Sequence, residues 1–256
     1  MTTIADDEPL AVAVTEAIRA GDLETLARLL DENPGLGSAR IRNRDSDDDQ
    51  GADAGRTLLH VATDWPGNFP NGAATVRALV DAGADVNARY VGPESSETPL
   101  HWAASSNDVD VLDALVDTDA DIEAPGAIIG GGTPLADATA FGQWKAARRL
   151  IERGARATLW HAAALGLMDQ IEAHLASEPP PSSEDITQAF WAACHGAQRD
   201  AAEYLFDRGA DLNWVADWDG LTPLDAARRS EQDGLDPAEL VVWLLARGAK
   251  SASELG

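Results

Sequence analysis

Short apolar segments built on leucine and paired alanines recur along the chain. Most open on a threonine and are followed, about one helical hairpin later, by a polar link containing glycine or aspartate. Thr98–Ala104 reads TPLHWAA, Thr133–Ala138 TPLADA, Thr222–Ala227 TPLDAA and Thr57–Ala62 TLLHVA. The links read DAGADVN (Asp81–Asn87), DTDADIE (Asp117–Glu123), ERGARAT (Glu152–Thr158), DRGADLN (Asp207–Asn213) and ARGAK (Ala246–Lys250). A threonine hydroxyl caps a helix, and proline beside it suits the first helical position, where the missing N–H costs nothing. Small alanines let two helices approach closely. Glycine in the link can take the left-handed conformation that ends a helix, and Asp–Val–Asn starts a tight turn. The pattern predicts a helical pair over 10–36, then units at about 55–89, 97–124, 132–156, 157–181, 186–213 and 220–250. That makes about thirteen to fourteen helices, with essentially no β-sheet.

These residues resemble the ankyrin repeat, a β-turn followed by two antiparallel helices in about 33 residues. The resemblance runs over roughly residues 10–250. It implies an all-α ankyrin-repeat solenoid, helix–turn–helix units joined by β-turns, of a divergent bacterial or archaeal type. On this division residues 1–54 are a helical cap with an acidic loop, 55–250 the repeat array and 251–256 a disordered tail. The departures are local. RIRNRDSDDDQGADAG (Arg40–Gly55) reads as a solvated loop. DWPGNFPNG (Asp64–Gly72) is inserted where two helices should meet directly, and YVGPESS (Tyr90–Ser96) and PGAIIGG (Pro125–Gly131) lengthen two turns. In the fourth unit ATLWHAAALG follows ERGAR at once, leaving no room for a full turn, and the unit ends in the proline-rich break SEPPPSSED (Ser177–Asp185).

Charge narrows the partners. The formal net charge is −25, and without a basic face neither nucleic acid nor an anionic membrane surface is expected as a partner. Aspartate outnumbers glutamate, and Lys145 and Lys250 are the only lysines. That profile suits a GC-rich genome, a salt-adapted cytoplasm or a basic partner. Cys194 is the only cysteine, which excludes an intramolecular disulfide and fits a reducing compartment. The acidic N-terminus is unlike a secretory signal and no apolar run reaches membrane-span length, so a cytoplasmic monomer is expected.

The eight tryptophans divide by position. Trp102, Trp191 and Trp160 fall where first helices pack, Trp144 opens a second helix and Trp243 lies on the last; core or capping duty is expected of these. Trp65, Trp214 and Trp218 fall in loops. By the family resemblance, turn tips and first-helix ends receive partners, which makes Trp65, Tyr90, Ile128, Ile129, Phe141, Trp214 and Trp218 the expected partner-binding residues. Thr98, His101, Trp102, Trp191 and Thr222 are expected to be structural. The resemblance gives His60 and His101 the role of hydrogen-bonding the neighbouring turn, whereas His161, His174 and His195 lie outside that motif. No spacing pairs histidines on one helix face, so neither a metal nor a cofactor is expected. Cys194 and His195, one residue apart on a helix, point about 100° away from each other and do not form a dyad. Gly126–Pro134 lacks the lysine and spacing of a phosphate loop.

The function expected is therefore a non-catalytic scaffold that holds a protein partner. Two alternatives remain open at this point: an enzyme or small-ligand site among the aromatics beside Asp64, Tyr90, Asp137 and His161, and an acidic charge mimic built on the loop Asp45–Asp53.

Overall fold

The structure, a computed structural model, describes residues 2–42, 55–91, 96–128, 130–231 and 234–256. It divides into two compact units, Met1–Ala155 and Arg156–Gly256. The division falls on the link where the sequence leaves no room for a full turn.

The first unit holds four helix pairs. These are α1 (Pro9–Ala20) with α2 (Leu23–Glu32), α3 (Leu58–Thr63) with α4 (Gly72–Asp81), α5 (Pro99–Ser105) with α6 (Val109–Asp117), and α7 (Pro134–Ala140) with α8 (Trp144–Glu152). The second unit holds three: α9 (Leu159–Leu165) with α10 (Met168–Leu175), α11 (Ser183–His195) with α12 (Arg199–Phe206), and α13 (Pro223–Arg229) with α14 (Ala238–Ala246). A last helical turn, α15 (Ala252–Leu255), follows. All seven pairs anticipated by the repeat pattern are present. The alanines do what their size allows: Ala103, Ala104, Ala138, Ala162, Ala163, Ala192, Ala193, Ala226 and Ala227 are fully buried. The tightest approach is at Gly196, where a Cβ would sit 1.9 Å from the Ala164 carbonyl oxygen, so only glycine lets α11 end against α9.

Four expectations are corrected. First, a small sheet exists: β1 (Thr3–Ala5) pairs in parallel with β2 (Arg40–Arg42), which pairs antiparallel with β3 (Arg56–Thr57). Ile4 and Ile41 bury their side chains there, so Arg40–Arg42 is not solvated loop. The rest of that acidic stretch, Asp45–Asp53 included, lies outside the described residues. Second, α11 starts at Ser183 rather than 186, because Ser182 caps it: the Asp185 N–H donates to Ser182 Oγ at 3.1 Å and the Ser182 N–H to Asp185 Oδ2 at 2.8 Å. Third, 251–256 is an ordered end. Ser251 and Glu254 form the same reciprocal cap on α15, and the Ala252 N–H donates to Asp225 Oδ2 at 2.7 Å. The described residues thus hold fifteen α-helices rather than thirteen or fourteen. Fourth, His161 belongs to the threonine–histidine motif, filling in Thr158-Leu159-Trp160-His161 the place that His101 fills in α5.

Five of the seven first helices, α3, α5, α9, α11 and α13, open on the same reciprocal cap with one of two chemistries. In α3 and α5 the third helical residue is histidine. His60 Nδ1 accepts the Thr57 N–H at 3.3 Å, and His101 Nδ1 accepts the Thr98 N–H at 3.1 Å. A ring nitrogen that accepts leaves the hydrogen on Nε2, which donates to a carbonyl of the next turn: Glu97 at 3.1 Å from His60 and Gly132 at 3.4 Å from His101. In α13 the same place holds Asp225, whose carboxylate accepts the Thr222 N–H at 3.3 Å and the hydroxyl at 2.9 Å. Asparagines stitch neighbouring turns within each unit. Asn87 Oδ1 accepts the Asp121 N–H at 2.7 Å, and Asn213 Oδ1 accepts the Lys250 N–H at 2.8 Å.

The insertion after α3 is held at both sides. Gly21 ends α1 at φ 66° and packs so closely on Pro70 that a Cβ would lie 2.1 Å from its carbonyl oxygen; Asn71 Nδ2 donates to the Gly21 carbonyl at 2.9 Å. On the other side the Asn68 N–H donates to Asp108 Oδ2 at 2.6 Å, while Asp64 at the start of the insertion receives Arg19 (3.1 Å) and Arg56 (2.8 Å).

Candidate interaction surface at the turn tips

In the second unit the chain between α12 and α13 folds back on itself. The Asn213 N–H donates to Asp211 Oδ1 (2.9 Å), the Ala216 N–H to the Leu221 carbonyl (3.0 Å) and the Gly220 N–H to the Ala216 carbonyl (2.8 Å). Ala216 is buried, which pins the base of this tip and leaves Val215 and Trp218 exposed. Trp191 on α11, only 2% exposed, supports it from below: its ring centroid lies 5.2 Å from that of Trp218 at 84°, and its Nε1–H donates to the Leu221 carbonyl at 3.2 Å. Trp214 lies 5.2 Å from Trp218 on the other side, at 61°. Trp160, Trp214 and Leu221 pack half-buried against Trp191, Ala216 and Ala226. Trp218 itself is 50% exposed. The result is a rigid aromatic knuckle, edge-on ring against ring, of the sort that loses little motion on binding.

The first unit carries the other candidate residues in separate places. Trp65, at 81%, is the most exposed large apolar side chain of those described. Ile128 and Phe141 are exposed; Ile129 lies outside the described residues. Among the described residues neither Trp65 nor Phe141 stacks on another ring. Tyr90 is half-buried, 5.5 Å from Trp102, which in turn lies 4.9 Å from His60. Trp102 is partly buried: its ring packs beside Tyr90, with Nε1–H donating to Glu97 Oε2 at 3.0 Å. Asp6, Ile41, Gly55, Arg56, Tyr90 and Trp102 line a cavity of about 230 Å³, and Trp65 is not among them.

The side chains that an enzyme reading would draw on are each engaged locally. Asp64 holds two arginines, Asp137 is buried on α7 and His161 caps α9. Burial pushes His60 down to about 3 and His101 to about 4 and raises the Cys194 thiol, so at neutral pH all three are uncharged. His174 Nε2 bonds to the Ala157 carbonyl at 2.9 Å. No three of the described His, Cys, Asp and Glu side chains are placed to hold a metal ion, and no helix of the described residues is long and apolar enough to cross a membrane.

The loop position of Trp214 and Trp218 is visible in the sequence, but their contact with Trp191 is not, and no local signal singles out Val215 or Arg229. Arg229 is held at the knuckle by Asp219 (3.0 Å), with its guanidinium carbon 5.7 Å from the Trp191 ring centroid. The arginine two residues past the alanine pair of TPLDAARR was visible, yet nothing local shows which ring it meets.

Paired helices with capped first members, left-handed link residues and asparagine stitches define a helical-repeat protein. Asp119, at φ 70°, takes the place that Gly83, Gly154, Gly209 and Gly248 fill in the other links. Residues 71–159 match the family model for ankyrin repeats (3 copies), and over that stretch the chain carries ankyrin repeats. In fold it is similar to the crystal structure of the human ASB11 ankyrin repeat domain, at a TM-score of 0.53 and 21% identity, covering 95% of this chain and 99% of that one. None of the curated proteins compared with it matches.

Proposed function

We propose that the protein is a non-catalytic scaffold that holds a protein partner through exposed turn tips, with the Trp214–Trp218 knuckle as an anchor. Ankyrin repeats are in general protein-interaction modules, and that supports the class of function. The observation that carries the site is Trp218: a large indole left half in water although the loop around it is rigid and closed by its own hydrogen bonds. Exposed rings on a firm support are costly unless a partner covers them. Trp65, Tyr90, Ile128, Ile129 and Phe141 are proposed as further contact points. A cytoplasmic setting is part of the proposal, supported by the single, buried cysteine.

The test separates binding from folding. The chain is immobilised, exposed to the cytoplasm of its source, and compared with Trp218→Ala, Trp65→Ala and Trp191→Ala. Loss of an interface anchor costs about 2 kcal/mol or more, so Trp218→Ala and Trp65→Ala should weaken capture at least about tenfold with little change in melting temperature. Trp191→Ala, a buried large-to-small change, should lower stability by about 3–5 kcal/mol. If Trp218→Ala unfolds the protein while Trp191→Ala leaves it intact, anchor and core are assigned the wrong way round.

A further inference from the structure

In the second unit three arginines lie over aromatic rings, Arg247 over both Phe206 and Trp243. Arg208 lies over Tyr204 at 3.3 Å. Arg247 lies over Trp243 at 4.0 Å and reaches Glu203 at 3.6 Å. Arg229 lies over Trp191 at 5.7 Å while Asp219 holds it at 3.0 Å. A flat, weakly hydrated guanidinium can stack on a ring and still fork towards a carboxylate, and the two attractions act together.

The knuckle carries a ring and a carboxylate on adjacent residues, with no arginine on that ring. Trp218 is half-exposed and its neighbour Asp217 is exposed. Among the described residues Asp217 makes no ion pair, and no cation lies over Trp218. The surrounding stretch repels any anion: Asp207, Asp211, Asp217 and Asp219 stand against Arg208 alone, and Arg208 is already on Tyr204. Arg229 is likewise committed to Asp219, so no cation of this tip is left to cover the outer ring. An apolar partner side chain would satisfy Trp218 but would leave Asp217 beside a drying interface. A carboxylate would be repelled.

We propose that the Trp218 tip docks an arginine of the partner protein, carried in a short basic segment, with the guanidinium on the Trp218 indole and against the Asp217 carboxylate. This rests on the scaffold reading and deepens it by naming the chemistry that the anchor recognises. Arginine is preferred to lysine because an ammonium is a compact, strongly hydrated point charge that gains less from the ring.

The probe is a fluorescent glycine–arginine peptide, with lysine and citrulline counterparts of the same length, titrated into the full chain at about 0.15 M salt, where diffuse attraction is screened beyond about 8 Å. The arginine peptide should bind, the lysine peptide more weakly and the citrulline peptide not at all. Trp218→Ala and Asp217→Asn should each weaken the arginine peptide about tenfold or somewhat less, the span expected of one cation–ring or ion-pair contact. Asp200→Asn, which removes one exposed charge from α12 instead, should leave it unchanged. Asp217→Asn keeps the rings in place, so its result stands even if Trp218→Ala disturbs the loop. Equal binding of the arginine peptide to all variants, or equal binding of the arginine and lysine peptides, overturns the proposal. If it fails in that way while Trp218→Ala still loses the native partner, the scaffold reading survives alone; if native capture is also unaffected, both fall.

Discussion

Acid should weaken the first unit through two buried histidines, and the size of the effect follows from their surroundings. His60 and His101 are deep in the fold, and their Nδ1 atoms already accept backbone N–H groups, so a proton placed there would point at another donor. Burial first, and this geometry with it, keep the rings neutral, at about 3 and about 4, against 6.5 when unfolded. Between those values the unfolded chain binds protons that the folded one refuses. Stability is therefore complete above pH 6.5 and declines as pH falls through it. At pH 5 each imidazole has lost about 1.5 units' worth, or about 2 kcal/mol, and the two together about 4 kcal/mol, a large part of a typical domain's stability. The assay is urea denaturation at pH 7.5 and pH 5 for the protein, His60→Gln and His101→Gln. Each variant should be less stable at pH 7.5, yet lose about 2 kcal/mol less on acidification. An unchanged pH slope in both variants would refute the reasoning, because other groups would then carry the acid sensitivity.

Three further outcomes are expected. Thr98→Ala and Thr222→Ala should each cost about 1 kcal/mol in thermal denaturation, Thr98 more because it also orients His101, which bonds to Gly132; negligible shifts in both would show that neither hydroxyl caps its helix. Limited proteolysis should spare the insertion at 64–71 in the unaltered protein and cut it in Asp108→Ala, which releases the Asn68 N–H; cutting at equal rates in both would show that this bond does not hold the loop. The melting temperature should rise between low salt and about 0.5 M sodium chloride as screening relieves repulsion at a net charge of −25, and a flat or falling curve would contradict this.

The helix pairs were legible because their signals are local: a threonine three residues before a histidine or aspartate, alanines two by two, a glycine at the link. What was missed depends on distance or on variants of the same signals. β1 meets β2 across more than thirty residues, and segments three residues long carry no period of their own. His161 was overlooked because Thr158, which caps its helix, was read as the end of the link ERGARAT rather than as the start of a motif spaced like Thr57-Leu58-Leu59-His60. Ser182–Asp185 and Ser251–Glu254 are both capping boxes that the sequence displayed, one hidden behind a run of prolines and the other mistaken for a tail. Among the candidate residues, loop position separated Trp218 from Trp191 correctly but could not reveal that the one stands on the other. Trp102 shared its register with Trp191. It is only partly buried and packs beside Tyr90.

The insertion after α3 changes how the first unit can come apart. A helical array is a one-dimensional chain of coupled elements, and its ends fray when the coupling between neighbours is weak compared with the stability of each element. Here Gly21 and Asn71 tie the insertion to the preceding pair, and Asn68 and Asp108 tie it to the following one. Stronger coupling lengthens the stretch that melts as a single cooperative block, so the first three pairs open together rather than peeling from the N-terminus.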